Sequence, residues 1–543
     1  MKIFKYLRDD NAPINEIIFM TALSGLANAL ILAVINVSAD MVANHEIQSQ
    51  YFVLYLIIFL LYAYTQKYAL TRTIVAVEQF TNKVRLRIAS KIRQVELSYI
   101  ENTERGNIYT RLTQDSNLIS QSTLLLISAA QSMMVLIFSF IYLIFISPIS
   151  FFMTLAFLTI AILTYIYYES GIMRQLRVTG QKEAKFFSYF SHLLDGFKEV
   201  RINRAKSDDL FHNIEKLSQE TETLRMDVGA RQVNTLMFAR LSFYVLLAIL
   251  VFIVPLFHAS HAEEIYKIST TVLFIIGPIS LVISALPSAA KSNLALDNLY
   301  ELESELDKVI ADKTFNQALV PFSDFATIQL DKNHFAYRDS QGKASFSIGP
   351  IDLTINKGDL LFIVGGNGSG KSTLLKLLVG LYQPDEGHLL LDNNFIEKNQ
   401  YPRYRELFSI VFTDFHLFDK LYGVHQVNEQ KVSGLLKTLG LEKKTRYQEG
   451  EFTQMNLSTG QRKRLAFLAA ILEDKPIYIF DELAADQDPP FRRFFYETIL
   501  PDLKRQGKTI IAVTHDDKYF HVADRVLKME EGRLVEYRGE EAL

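Results

Sequence analysis

Six long apolar stretches follow one another in the first half of the chain, at 17–37, 47–66, 123–146, 149–168, 238–257 and 268–286, none with a charge in mid-span. A bilayer core takes about 20 helical residues to cross. Inside it every backbone N–H and C=O must bond within its own segment, which leaves the helix as the structure open to such stretches. Any one of them alone could be a buried core helix; six in succession predict a membrane domain. The connections are uneven. Those at 38–46, 147–148 and 258–267 are short, whereas 67–122 and 169–237 are long and carry heptad-like helical patterning.

Charge gives the expected orientation. The first long connection holds Lys83, Arg85, Arg87, Lys91, Arg93, Arg105 and Arg111. The second holds Arg174, Arg177, Lys182, Lys185, Lys198, Arg201, Arg204 and Lys206, against Lys267 alone in the short ones. Positive-inside bias places the long connections, both termini and everything after the sixth stretch in the cytoplasm. Helices running on from the spans at roughly 1.5 Å per residue would project tens of ångströms from the bilayer. Their tips are expected near Gly106–Leu112 and Gly196–Arg201, at glycines that read as turns or as points that pass on force. The first apolar stretch has no small-residue cleavage site after a short apolar core, so it is read as retained.

Within the spans Asn28, Asn36 and Gln131 are expected to bond between packed helices, with substrate contact as the alternative. Pro278 and Pro287 are candidate bends in the last span. His258, His261, Glu263 and Glu264 cluster in the last short connection and read first as a solvated turn, a metal site being the alternative. Other classes are excluded by composition. The net charge of −3 offers no basic excess to displace counterions from nucleic acid. Zero cysteines exclude disulfides, thiolate metal sites and cysteine nucleophiles. With no Trp, any aromatic belt must come from the 26 Tyr and 39 Phe, which could also line an adaptable aromatic cavity.

After a charged helical run at 301–313 and a linker at 314–326, strand-like sequence resumes at 327. The membrane part is thus assigned to 1–313 and a second domain to 327–543. The run Gly365-Gly366-Asn367-Gly368-Ser369-Gly370-Lys371-Ser372 fits G-x-x-x-x-G-K-[ST] between an apolar strand at 360–364 and a helix. Such glycines let consecutive N–H groups converge on phosphates at a helix N-terminus. Gly365, Asn367, Gly368, Ser369, Gly370, Lys371, Ser372 and Thr373 are therefore the candidate cradle for ATP. Lys371 would reach the β/γ-phosphates and the Ser372 hydroxyl would ligate Mg²⁺. Ile477-Tyr478-Ile479-Phe480-Asp481-Glu482 is an apolar strand ending in two acids. Asp481 would hold the Mg²⁺ shell, and Glu482 would polarise the water that attacks the γ-phosphate. A further strand from Thr509 delivers His515 at its carboxyl end, where open α/β sheets bind ligands.

The run Leu457-Ser458-Thr459-Gly460-Gln461, leading into Arg462-Lys463-Arg464, carries a resemblance. It is similar to the LSGGQ signature of the ATP-binding cassette (ABC) family, departing at Thr459, a position at which that family is permissive. The resemblance spans the chain: six spans plus one cassette is the half-transporter layout of ABC exporters. It implies a membrane all-α six-helix domain with long cytoplasmic extensions, followed by an α/β P-loop cassette. It also implies two cassettes meeting head to tail, with Lys371 of one facing Ser458 of the other across ATP. The partner is then a second copy or a related half-transporter. Tyr337, in Phe335-Ala336-Tyr337, matches the aromatic that stacks on adenine, and Asp488 lies where the family has its dimer-contacting loop. Val411-Phe412-Thr413-Asp414 puts Thr413 where the family carries a Gln that contacts Mg²⁺ and relays motion. A hydroxyl can ligate Mg²⁺ but is shorter, and Asp414 could take part.

With 412–418, 481–489 and 515–520, this departure resembles bacterial cyclic-peptide and peptide-siderophore exporters of the pyoverdine and syringomycin type. The expectation is ATP-driven export of a peptide-like cargo across a bacterial inner membrane. Alternatives are a lipid flippase, a multidrug pump, or a non-transporting membrane ATPase acting in sensing or immunity.

Overall fold

A computed structural model of the chain describes residues 13–43, 49–103, 105–253, 265–310, 320, 322, 324–338, 343–424 and 426–537. It divides into two compact units, Met1–Arg87 with Ile108–Leu302, and Ile88–Asn107 with Glu303–Leu543. The cluster at His258, His261, Glu263 and Glu264 lies outside the described residues, as do the N-terminal residues 1–12 and most of the expected linker at 314–326.

The helices up to residue 309 are α1 (Ile14–Ala43), α2 (Ser49–Ile92), α3 (Leu97–Asn102), α4 (Arg105–Thr110), α5 (Ser116–Ile146), α6 (Pro148–Asp195), α7 (Phe197–Ile202), α8 (Arg204–Ala248) and α9 (Ile265–Val309). Among the described residues four stretches are long and apolar enough to span a bilayer: Ile14–Val42, Ser49–Ile92, Arg111–Ile146 and Ile265–Val309. The other two expected spans fall in α6 and α8, whose described apolar stretches, Pro148–Ile160 and Leu241–Ile253, are shorter. α5 and α6 part at Ser147, whose hydroxyl accepts from the Ser150 N–H while Pro148 opens the new helix. Phe52, Leu60, Phe145 and Phe152 are each at least 65% exposed, a surface suited to lipid rather than water.

Polar residues in the spans bond between helices. Gln131 Nε2 donates to Ser24 Oγ at 2.8 Å, and Asn36 Nδ2 lies 3.4 Å from both Thr271 Oγ1 and Tyr142 OH. At Gly25 a Cβ would meet Met134 Cβ at 2.5 Å, so α1 and α5 approach closely where no side chain intervenes. α9 continues helically through Pro278 and Pro287. The second tip is where glycine places it: Gly196 ends α6 and donates to His192 O at 2.9 Å. The first differs. Its turn comes at residues 93–96, where Val95 bridges Ile310, and α3 follows before Gly106. Long-range pairing sets that turn, so a local glycine does not mark it.

In the second unit a six-stranded sheet has the order β12-β11-β3-β10-β9-β6, from β3 (Leu360–Val364), β6 (Phe408–Val411), β9 (Ile477–Asp481), β10 (Thr509–Val513), β11 (Arg525–Glu530) and β12 (Arg533–Glu536). Only β12 runs antiparallel to its neighbour. β3, β9 and β10 are buried at every residue, as expected of parallel strands covered on both faces and read as unbroken apolar runs. A four-stranded antiparallel sheet, in the order β2-β1-β4-β5, comprises β1 (Thr327–Arg338), β2 (Ala344–Asn356), β4 (Glu386–Leu391) and β5 (Asn394–Phe395), and β7 (Tyr447–Gln448) pairs with β8 (Glu451–Phe452) as a short hairpin. Helix α10 (Lys371–Leu378) contributes Leu374, Leu375, Leu377 and Leu378 to the core between the sheets. A second core lies on the other face, against α13 (Thr459–Leu472), with α11 (Tyr401–Arg405) and α12 (Glu429–Thr438) preceding it in the chain.

Candidate functional site

The parallel strands β3, β6, β9 and β10 end at one edge of the sheet, and the expected phosphate and metal residues follow them directly. After β3 the chain turns through Gly365, Gly368 and Gly370, all at positive φ (147°, 77° and 106°). A Cβ at Gly365 would meet Met529 O at 2.3 Å, and one at Gly370 would meet Ile348 Cγ2 at 2.6 Å, so both positions exclude a side chain. The loop opens α10 with Lys371 buried, its Nζ donating to Gly365 O at 2.8 Å and Gly366 O at 3.1 Å. Ser372 Oγ donates to Asp481 Oδ2 at 3.1 Å. Thr373 Oγ1 lies 3.3 Å from Tyr337 OH, which fixes the aromatic from the end of β1 beside the loop.

Asp481 is 2% exposed, and its Oδ1 is buried with no partner among the described residues. Burial pushes its carboxyl up, opposed by hydrogen bonds from Thr413 and Ser372. A desolvated carboxylate with an orphaned oxygen beside a serine hydroxyl is a donor set of the kind that suits Mg²⁺, an ion that takes one or two carboxylates along with phosphate oxygens. Thr413 Oγ1 donates to Asp481 O at 3.3 Å, which brings the residue at the departed position to the same acid. Asp414, one residue on, is exposed.

Glu482 sits in the left-handed region at φ 51°, a costly conformation for a residue with a side chain. Its N–H donates to Val513 O at 3.1 Å, which pins it to β10. Its Oε1 lies 3.2 Å from His515 Nε2 and 3.8 Å from Lys371 Nζ. The loop, Ser372, Asp481, Glu482, His515, Thr413 and Tyr337 are thus assembled at one place.

The 457–461 segment makes its contacts elsewhere. Ser458 caps α13 reciprocally: its hydroxyl accepts from the Gln461 N–H at 3.4 Å, and the Gln461 side chain accepts from the Ser458 N–H at 3.1 Å. Leu457 N donates to Met455 O at 2.9 Å. Thr459 is exposed in the first turn, so its extra bulk meets nothing there. At Gly460 a Cβ would meet Asp486 O at 2.7 Å, and its carbonyl accepts from Gln487 Nε2 at 2.9 Å. Asp488 accepts from Arg464 at 2.5 Å and starts α14 (Pro489–Phe494).

Four participants escaped the motif reading. Lys463 and Gln487 tie α13 to the 482–488 segment; Tyr382 and Glu101 extend from Tyr337. Tyr382 OH bonds Tyr337 OH at 3.3 Å and also Glu101 of α3, while Lys376 Nζ reaches Glu101 at 2.7 Å. Lys463 and Gln487 fall inside the 457–464 and 481–489 runs, where the motif reading gives them no role, whereas Tyr382 and Glu101 belong to no motif.

Comparisons with known proteins agree with this architecture. The ABC transporter transmembrane region model matches residues 14–279, and the ABC transporter model matches 348–485. The ATP-binding protein SyrD of Pseudomonas syringae pv. syringae is 34% identical over 95% of this chain and 93% of its own length. The ATP-dependent lipid A-core flippase of Chromohalobacter salexigens is 29% identical over 40% of this chain and 39% of its own. The solved structure of a bacterial Atm1-family ABC exporter with ATP bound superposes with a TM-score of 0.76 at 16% identity, covering 96% of this chain and 93% of that one. The chain therefore belongs to the ABC transporter family. It is a multi-pass membrane protein of the exporter type, coupling an ATPase cassette to transport, from a half-transporter family that typically dimerises.

Proposed function

We propose that this chain is one half of a homodimeric pump in a bacterial inner membrane, exporting a peptide-like cargo at the expense of ATP. One observation carries the reading: the phosphate loop with its acids and the Ser458 segment are both fully formed, yet the bonds of Ser458, Leu457 and Gly460 run away from the loop. Each chain supplies two half-sites, and a second copy facing it head to tail completes both.

In the completed site, the loop N–H groups and Lys371 hold the β- and γ-phosphates, and Tyr337 stacks on the base. Ser372, Asp481 and the Thr413 hydroxyl would hold Mg²⁺, which when bound would neutralise charge on the phosphates. Glu482 orients a water and accepts its proton as the water oxygen bonds to the γ-phosphorus and the bond to the bridging oxygen breaks. His515, beside Glu482, keeps that carboxylate aimed. ATP binding closes the pair and turns the cavity outward; hydrolysis to ADP and phosphate resets it. Both termini face the cytoplasm on the strength of the basic long connections.

Peptide cargo is favoured by the resemblance to cyclic-peptide and peptide-siderophore exporters and by SyrD matching nearly end to end, whereas the flippase matches only part. The test is uptake into inside-out vesicles. Peptide accumulation that requires ATP and is abolished by Glu482→Gln supports the proposal. ATP turnover with no flux of any cargo defeats it, and stimulation by lipids but not peptides transfers it to a flippase.

A further inference from the structure

Lys463 is a cation where the fold leaves little room for one. It lies on α13 with its side chain 5% exposed, and a buried ammonium persists only when paired. Its Nζ donates to Glu482 O at 2.8 Å and meets Asp486 Oδ2 at 2.7 Å. The acceptor is the carbonyl of the residue that sits strained at φ 51°, and the Ala485 N–H donates to the same oxygen at 3.2 Å. The ammonium therefore braces the turn that aims the Glu482 carboxylate towards Lys371 and His515.

The other end of the connection is the start of α13. Lys463 stands five residues beyond its capping Ser458, on the helix whose Gly460 abuts Asp486 O with no room for a methyl group. Gln487 bonds Gly460 O, and Arg464 Nε bonds Gln487 Oε1 at 2.8 Å. The helix and the 482–488 segment are thus bonded at three successive places, and only Lys463 among these contacts reaches Glu482 itself.

We propose that Lys463 is a positioning residue that ties the Ser458 helix to Glu482. A nucleotide engaged by that helix at one site then sets the carboxylate of the neighbouring site, and the two sites fire together. This rests on the two-chain reading above.

The experiment uses the full-length protein in lipid nanodiscs, measuring hydrolysis against ATP concentration and, separately, nucleotide binding. Lys463→Met keeps the length and removes the charge; kcat should fall about tenfold or more with KM within about twofold. The Hill coefficient should drop towards about 1, and Lys463→Arg should recover most of the rate. Asp486→Asn, at a half-exposed position, should lower kcat less, again at constant KM. Should Lys463→Met bind no nucleotide, Asp486→Asn decides alone. Unchanged kcat and Hill coefficient in the variant that decides, or losses appearing in KM instead, overturn the assignment. If the wild type itself works as a monomer without cooperativity, the two-chain reading fails; a cooperative wild type with indifferent variants removes Lys463 alone.

Discussion

Glu482 and Asp481 are adjacent in the chain but sit in opposite environments. Glu482 is partly open beside His515, and Asp481 is sealed with an unpartnered oxygen. Under the proposed roles, Glu482→Gln should lower ATP turnover by about 10²–10⁴-fold while nucleotide binding persists, read by turnover and binding assays side by side. Asp481 leads to a different expectation. Its folded-state affinity for a proton is raised by burial, so its contribution to stability is full below its unfolded pKa and is lost as pH rises through the folded value. Above that folded value the nucleotide-free protein holds a carboxylate at a cost. Asp481→Asn should raise the melting temperature at pH 7 more than at pH 5, while hydrolysis is lost. Equal shifts at both pH values would refute this. The acids, the glycines and Lys371 were legible because their chemistry is local to a motif. Lys463 and Gln487 were not, because their partners lie 19 and 27 residues away and only the fold brings them together.

Among elements, the strands were the most readable: covered on both faces, they appear as uninterrupted apolar runs, and their carboxyl ends located the site. The first cytoplasmic tip was not. Glycine suggested Gly106–Leu112, yet α3, the element bonded to the cassette, begins earlier, and its place depends on Val95 meeting Ile310 and Glu101 meeting Lys376. That pairing has a functional consequence. Tyr337, Tyr382 and Glu101 form an unbroken hydrogen-bonded line from beside the phosphate loop to α3. Under the proposed function, with Thr413 at the position of the usual relay, we expect this line to serve as a route for motion. Glu101→Gln and Tyr382→Phe should leave basal ATP hydrolysis within about twofold but remove its stimulation by cargo, and the two together should do no more than either alone. Additive losses would show that the residues act separately. Gly460→Ala belongs at this scale too: its methyl group would strike the Asp486 carbonyl, a backbone atom, so α13 must shift and nucleotide-dependent pairing should weaken.

For the whole molecule, the described residues of the six apolar stretches are helical, as a bilayer demands of such stretches. Their reach beyond the bilayer was readable for α6, which runs from Pro148 to Asp195 and stops at Gly196, but not for α2, which ends at Ile92 well before Gly106. Orientation can be checked by labelling introduced cysteines in this cysteine-free chain; Lys198→Cys should react only from the cytoplasmic side. The separation of the Ser458 segment from the phosphate loop reaches furthest. If the proposed homodimer forms, a cell making equal amounts of intact and Glu482→Gln chains would assemble intact pairs only roughly a quarter of the time. If a crippled member silences its companion, export should drop well below half, so inheriting one bad copy would be worse than losing that copy altogether.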